Sequence, residues 1–204
     1  MRGVVVFDVD GTLLDSYEKI VKVLLDVNAF YQINVSYDEI YHFVTTNSVK
    51  EYLDIMEEKY PGARALYLQK YQESKIVQGL MPNVKEVLDL LKEDYIISIY
   101  THKGADIFDI LKEYDIAHYF SDVITIDDGF MRKPSPEAIL YLKTKYQSMK
   151  MYYVGDRNID MEMAVNAHID GILYKPNGNV VNPNGKEKYI IMDLLDIINI
   201  IGKE

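Results

Sequence analysis

The chain has 204 residues, 49% of them hydrophobic, with 32 acidic side chains against 22 basic ones for a formal charge of −10, and it contains no cysteine. At ~150 residues per domain the length allows one domain, or one domain carrying an insertion, large enough to bury a core without disulfides or a structural metal. Zero cysteine excludes disulfide frameworks, thiolate metal sites and cysteine nucleophiles, and the acidity argues against a surface that grips nucleic acid or an anionic membrane, while leaving room for a small phosphorylated metabolite met by local cations.

In chain order, the apolar run Val4 to Phe7 is cut by Asp8, too short for a signal-peptide core of ~7–15 residues or a span of ~20, so the chain is expected to be cytoplasmic. Val4 to Val9 predicts a buried strand. From about Ser16 to about Gly79 the period is helical, with no convincing strand. Ile20, Val23, Leu24, Val27 and Phe30 recur at helical spacing, then Val49, Leu53 and Met56, then, past the break at Tyr60-Pro61-Gly62, Leu66, Tyr67 and Tyr71. Beyond it the predicted elements alternate: helix Val84 to Leu91, strand Tyr95 to Tyr100, helix Ala105 to Tyr114, strand Val123 to Ile126, helix Pro136 to Tyr146, strand Met151 to Val154, helix Ile159 to His168. A loop from Lys175 to Gly185 and a closing helix from Met192 to Ile201 complete the reading. This rhythm predicts an α/β fold, a Rossmann-like doubly wound parallel sheet with helices on both faces, formed by residues 1–14 and 81–204. Residues 15–80 are expected to form an all-helical insertion, with hinges at Asp15-Ser16 and Gly79 to Pro82 and Ser16 capping the first helix.

The strongest local signal is Phe7-Asp8-Val9-Asp10-Gly11-Thr12-Leu13-Leu14-Asp15-Ser16. Carboxylates at i and i+2 on an extended chain point to the same side and repel one another unless a cation lies between them. Mg²⁺, which takes hard oxygen ligands, is one solution; an acidic pair that only turns the chain is the other. Asp8, Thr101 and Asp156 fall at or just beyond the carboxyl ends of predicted parallel strands, the edge where open α/β sheets bind ligands.

The flanking pattern resembles the first motif of the haloacid dehalogenase superfamily of phosphotransferases, and matches to the other three motifs follow in order. Thr101 fits the second; Lys133, in Arg132-Lys133-Pro134-Ser135-Pro136-Glu137, fits the third; and Gly155-Asp156-Arg157-Asn158-Ile159-Asp160 fits the fourth. The resemblance implies Asp8 as nucleophile forming an aspartyl-phosphate, Asp10 as general acid and base, and Thr101 and Lys133 as holders of the phosphoryl oxygens. It also implies Mg²⁺ bound by Asp8, the Asp10 carbonyl and Asp156, with Asp160 behind them. Four carboxylates against a divalent ion and Lys133 leave one negative charge, which a proton on Asp10 would remove. The helical insertion becomes a cap that selects the leaving group, its polar candidates being Thr45, Thr46 and Asn47 in a loop ending at Ser48, with Lys19, Lys22 and Lys50 as possible anion contacts. Arg132 and Arg157 are read as surface or loop charges, and the side chain of His102 has no assigned task. Asp10 sets the chain apart from the dehalogenases and phosphonate hydrolases of the superfamily, and Ile20 stands where the β-phosphoglucomutase branch carries a histidine. The expectation is a Mg²⁺-dependent phosphatase of a small phosphomonoester, similar to the phosphoglycolate phosphatase branch, as monomer or homodimer. A sugar-phosphate mutase and a non-catalytic regulatory member are the alternatives.

Overall fold

A computed structural model of the chain describes residues 1–147, 149–176 and 185–202. It divides into two compact units, Met1–Leu14 with Leu80–Glu204, and Asp15–Gly79. The elements run β1 (Gly3–Phe7), β2 (Leu14–Asp15), α1 (Tyr17–Phe30), α2 (Tyr37–Thr46), α3 (Val49–Lys59), α4 (Ala63–Glu73), β3 (Gly79–Leu80), α5 (Val84–Leu91), β4 (Tyr95–Tyr100), α6 (Ile107–Glu113), β5 (Asp122–Ile124), α7 (Glu137–Lys145), β6 (Met151–Gly155), α8 (Asn158–Asn166), β7 (Asp170–Tyr174), β8 (Tyr189–Ile191) and α9 (Asp196–Ile201).

In the first unit a 6-stranded parallel sheet has the order β5-β4-β1-β6-β7-β8, with β1 inside it. Strand β1 is buried on both faces, which is why it reads as an unbroken apolar run rather than an alternating one. Its side chains still alternate. Val5 and Phe7 join one core with Ile97, Ile99, Tyr152 and Val154 under α5, α6 and α9, and Val4 and Val6 join the other with Tyr153 and Leu173 under α7 and α8. The Rossmann-like doubly wound architecture expected from the sequence is therefore the one present. Gly171, inside β7, lies where a Cβ would come within 2.8 Å of Met161 Sδ, so its missing side chain lets α8 sit close on the strand.

The second unit, α1 to α4, closes its own core around Val21, Leu24, Val27, Ile40, Val44, Leu53 and Tyr67. Phe30, expected on the apolar face, is 64% exposed at the end of α1. Helix α2 was not foreseen as a separate element, although Ser36 and Glu39 form a full capping box at its start. Ser16 occupies the N-cap position of α1 but makes no side-chain cap; its backbone there is helical rather than extended, and its buried hydroxyl has no hydrogen-bond partner among the described residues. Other boundaries moved as well. Strand β1 stops at Phe7 because the chain turns after Asp8, β5 stops at Ile124 because Thr125 caps a 3-10 turn at Ile126–Asp128, and the last helix begins only at Asp196. Strands β7 and β8 were not anticipated. The expected loop from Lys175 to Gly185 lies largely outside the described residues. Among the described residues no helix is long and apolar enough to cross a membrane.

Candidate active site

Strands β1, β4 and β6 are neighbours in the sheet, and the residues directly after them are Asp8, Thr101 and Asp156. The ladder runs one residue past each of the first two strands: the Asp8 amide donates to Val154 O at 2.8 Å and the Thr101 amide to Ile124 O at 2.9 Å. Both side chains therefore leave a fixed backbone at one sheet edge. Beyond Asp8 the chain reverses through Gly11, whose φ of 74° is a left-handed conformation that suits glycine, and the amides of Leu13 and Leu14 both close on Val9 O at 2.9 Å.

Lys133 is the centre of the site. Its ammonium lies 2.9 Å from Asp8 Oδ1 and 2.8 Å from Asp160 Oδ1, with no exposed side-chain surface. The rings of Tyr100 and Tyr153 flank it, their centroids 5.2 and 5.0 Å from Nζ. Burial works against the lysine charge, but Asp160 and Asp8 together outweigh it and hold the ammonium above its ordinary range. For Asp8 burial dominates and pushes the carboxyl up, while Lys133 pulls the other way. Such a triad is costly to desolvate and adds little net stability, so its retention calls for a functional reason. Asp160 is held on its other side too, Oδ2 accepting the Arg157 amide at 3.0 Å. A Cβ on Gly155 would meet that carboxyl group at 2.6 Å, which gives the Gly-Asp pair a physical basis: only glycine lets Asp160 pack against the strand end.

The donor set fits a divalent cation. Carboxylate oxygens of Asp8, Asp156 and Asp160, all buried, lie within 4.8 Å of one another. Asp160 is already engaged by Lys133 and the Arg157 amide, whereas Asp8 Oδ2 is buried and accepts no hydrogen bond among the described residues. A buried anionic oxygen without a partner is what a hard cation would satisfy. Asp8 and Asp156 are the side chains that would hold it, with Asp160 behind them.

Three residues of this edge were missed or misjudged from sequence. Lys103, with only 9% of its side chain exposed, pairs with Asp10 Oδ1 at 3.1 Å. It supplies the positive charge for which the sequence argument had invoked a proton on Asp10. His102 accepts the backbone amide of Lys133 on Nε2 at 3.0 Å, and burial, reinforced by Lys133, Arg132 and Arg157, pushes its pKa down to about 2. Arg157 is a loop charge, at the N-cap of α8, but it is half-buried and close enough to influence Asp8, Lys133 and His102. The signal for the first two was their position directly after Thr101. Thr101 itself is buried, and its hydroxyl oxygen accepts the Lys103 amide at 3.2 Å.

Thr45, Thr46 and Asn47 belong to the helical unit. The expected loop is a tight junction: Thr45 and Thr46 complete α2, Asn47 is its C-cap, and Ser48 caps α3 by accepting the Glu51 amide at 3.0 Å. The Thr45 hydroxyl donates to Tyr41 O at 2.8 Å, and Thr46 and Asn47 are exposed. Lys22 and Lys50 pair with Glu18 and Asp54 one turn away, and Lys19 lies over the Tyr71 ring at 4.5 Å.

Residues 5–174 match the family described as haloacid dehalogenase-like hydrolase. The chain belongs to that family. Among curated relatives, the phosphoglycolate phosphatase of Vibrio cholerae is 30% identical over 97% of this chain and 96% of its own length. That of Vibrio parahaemolyticus is 31% identical over 80% of this chain and 79% of its own length. A haloacid dehalogenase-like hydrolase of Streptococcus pneumoniae superposes with a TM-score of 0.81, covering 97% of both chains at 19% identity, a likeness of fold. As a member of the haloacid dehalogenase-like hydrolases, the chain is an enzyme.

Proposed function

We propose that this hydrolase is a Mg²⁺-dependent phosphatase acting on a small phosphomonoester through an aspartyl-phosphate on Asp8, with Asp10 as general acid and base. One observation carries the reading: the two oxygens of Asp8 are unequal, Oδ1 held by Lys133 and Oδ2 buried without a hydrogen bond. A carboxylate oriented by Lys133 at one oxygen, and whose other oxygen a divalent cation would satisfy, is held in the fixed, cation-flanked setting that a phosphoryl-accepting nucleophile needs. In the first half-reaction an Asp8 oxygen bonds to phosphorus, the phosphorus–oxygen ester bond breaks, and Asp10 passes a proton to the departing alkoxide. That proton enters with the substrate monoanion or from solvent. In the second, Asp10 takes a proton from water, the water oxygen bonds to phosphorus, and the bond to Asp8 breaks, releasing inorganic phosphate. The magnesium ion, held by Asp8 and Asp156, supplies charge neutralisation on the phosphoryl oxygens. Lys133 keeps Asp8 oriented, and the Thr101 hydroxyl, whose oxygen accepts the Lys103 amide, keeps its own proton to donate to a phosphoryl oxygen.

The helical unit serves as the cap in this reading, and Thr46 and Asn47 are the side chains proposed to read the leaving group. A mutase is disfavoured because Ile20, at the position expected for a histidine in that branch, is buried in the core of the helical unit. The names of the relatives make phosphoglycolate the first substrate to test. The experiment is phosphate release from a panel of phosphorylated metabolites with Mg²⁺ and with EDTA, for the native chain and Asp8→Asn. Activity that depends on both the ion and Asp8 is expected; turnover that survives EDTA and the substitution refutes the mechanism.

A further inference from the structure

Hydrogen bonds from outside fasten the segment that carries Lys133. Met131 N–H donates to Glu137 Oε2 at 2.9 Å, Met131 O accepts from the Tyr100 hydroxyl at 3.1 Å, Lys133 N–H donates to His102 Nε2 at 3.0 Å, and Pro134 O accepts from Asn166 Nδ2 at 2.9 Å. Only the third reaches the peptide of the lysine itself. It comes from the loop that follows β4, the same loop that carries Thr101 and Lys103. The ring is steadied edge-on against Tyr100, centroids 6.0 Å apart at 82°, and Tyr100 is tied to β6 by the Tyr153 hydroxyl, which donates to Tyr100 O at 2.8 Å.

Lysine is a poor self-positioning residue, since four rotatable bonds separate its ammonium from the backbone. For Nζ to keep both its 2.9 Å contact with Asp8 and its 2.8 Å contact with Asp160, the peptide it starts from has to be fixed. Groups of a reacting constellation tolerate errors of only ~0.5 Å. An imidazole that accepts an amide N–H on Nε2 must be neutral and carry its proton on Nδ1, so His102 is occupied as an acceptor and is no proton shuttle for the reaction.

We propose that His102 is a positioning residue of the active site: by accepting the Lys133 amide it fixes the peptide from which the lysine spans Asp8 and Asp160. The inference rests on the reading of Asp8 as nucleophile, and it adds a residue that acts only through Lys133. It joins the loops after β4 and before α7, so that Thr101 and Lys133 move as one piece.

The test uses two variants of the full chain. Glutamine places an acceptor oxygen at about the reach of Nε2, and methionine has similar length with no comparable acceptor. His102→Met is expected to lose about 10- to 100-fold in kcat with KM changed less than about 3-fold, the signature of misplaced groups rather than lost binding. His102→Gln is expected to restore kcat to within about 5-fold of the native chain. Amide exchange at Lys133, followed by NMR, is expected to be protected in the native chain and in His102→Gln and fast in His102→Met. A Met variant with native kcat, or with Lys133 still protected, overturns the proposal. So does a folded Gln variant as impaired as the Met one. A native chain that hydrolyses no phosphomonoester defeats the phosphatase reading instead, and the exchange measurement still decides whether His102 holds the lysine peptide.

Discussion

His102 should make the fold acid-sensitive well before the carboxylates titrate. Its unfolded-state pKa is near 6.5 and its folded-state value about 2, lowered first by burial and then by Lys133, Arg132 and Arg157. A histidine depressed in this way contributes stability that is fully present above pH ~6.5 and is lost as the pH falls below it, because the unfolded chain binds a proton that the folded chain refuses. Each pH unit below 6.5 therefore removes up to about 1.4 kcal/mol, so pH 4.5 costs the native chain about 2 to 3 kcal/mol relative to pH 7.5. That is a large share of the 5–15 kcal/mol typical of a native protein. The perturbation is His102→Gln, which keeps an acceptor for the Lys133 amide and removes the titration. The assay is urea unfolding of both chains at pH 7.5, 6.5, 5.5 and 4.5. Other titrating groups are common to both chains and cancel in the difference, so the stability gap should shift by about 2 to 3 kcal/mol in favour of the variant across this range. A gap that stays constant with pH would mean that the ring is protonated in the folded state, and the acceptor role argued for it would fall.

Three further outcomes follow from the same site. Asp160→Ala leaves the buried Lys133 ammonium with Asp8 alone and should destabilise the chain by about 3–5 kcal/mol in denaturant unfolding; a loss below about 1 kcal/mol would show that the pair is dispensable to the fold. Mg²⁺ at about 100 times its Kd should stabilise the native chain by about 2.7 kcal/mol, seen as a rise in Tm that Asp8→Asn abolishes; an equal rise in both chains would move the ion away from Asp8. Lys103→Met removes a charged contact worth about 1.5–3 kcal/mol and should raise KM for the phosphomonoester about 10- to 100-fold with the fold intact; an unchanged KM would confine Lys103 to a structural pairing with Asp10.

What could be read in the sequence was whatever local pattern determines. The buried strand Gly3–Phe7 and the acidic pair after it lie within ten residues, and alternation of apolar runs with helical periods gave the sheet. Helix α2 is legible in Ser36 and Glu39, a capping box ahead of Ile40 and Val44, but those two are the side chains it buries, too short an apolar stripe to stand out as a period. Strand β7 was hidden by Gly171, which looks like a breaker and is there because Met161 packs against the bare Cα. The helical junction at Asn47-Ser48 reads as a loop because Thr and Asn favour turns, whereas Thr45 satisfies its hydroxyl on the preceding turn of its own helix. Position beside Thr101 marks His102 and Lys103 as candidates, but the long-range pairings they make have no local signal. Nothing in the spacing of His102 and Lys133 announces that one accepts the amide of the other, nor does Lys103 reveal that it turns back toward Asp10.

Those unread residues alter the electrostatic logic of the site. Counting only the family motifs, four carboxylates face one lysine and the proposed divalent ion, a balance that stays negative and calls for a proton on Asp10. With Lys103 on Asp10 and Arg157 acting on Asp8 and Lys133, three cations stand against the four carboxylates before any metal binds. The ion then brings the site to a charge of about +1, and a phosphomonoester monoanion closes it to neutrality. A dianion overshoots by one charge, which a single proton restores, and Asp10 is the group proposed to carry that proton to the leaving alkoxide. The proton thus becomes a consequence of substrate charge rather than a precondition of the empty site. An acidic protein can in this way accept an anionic substrate at one point, because cations from three loops converge where the acids are densest.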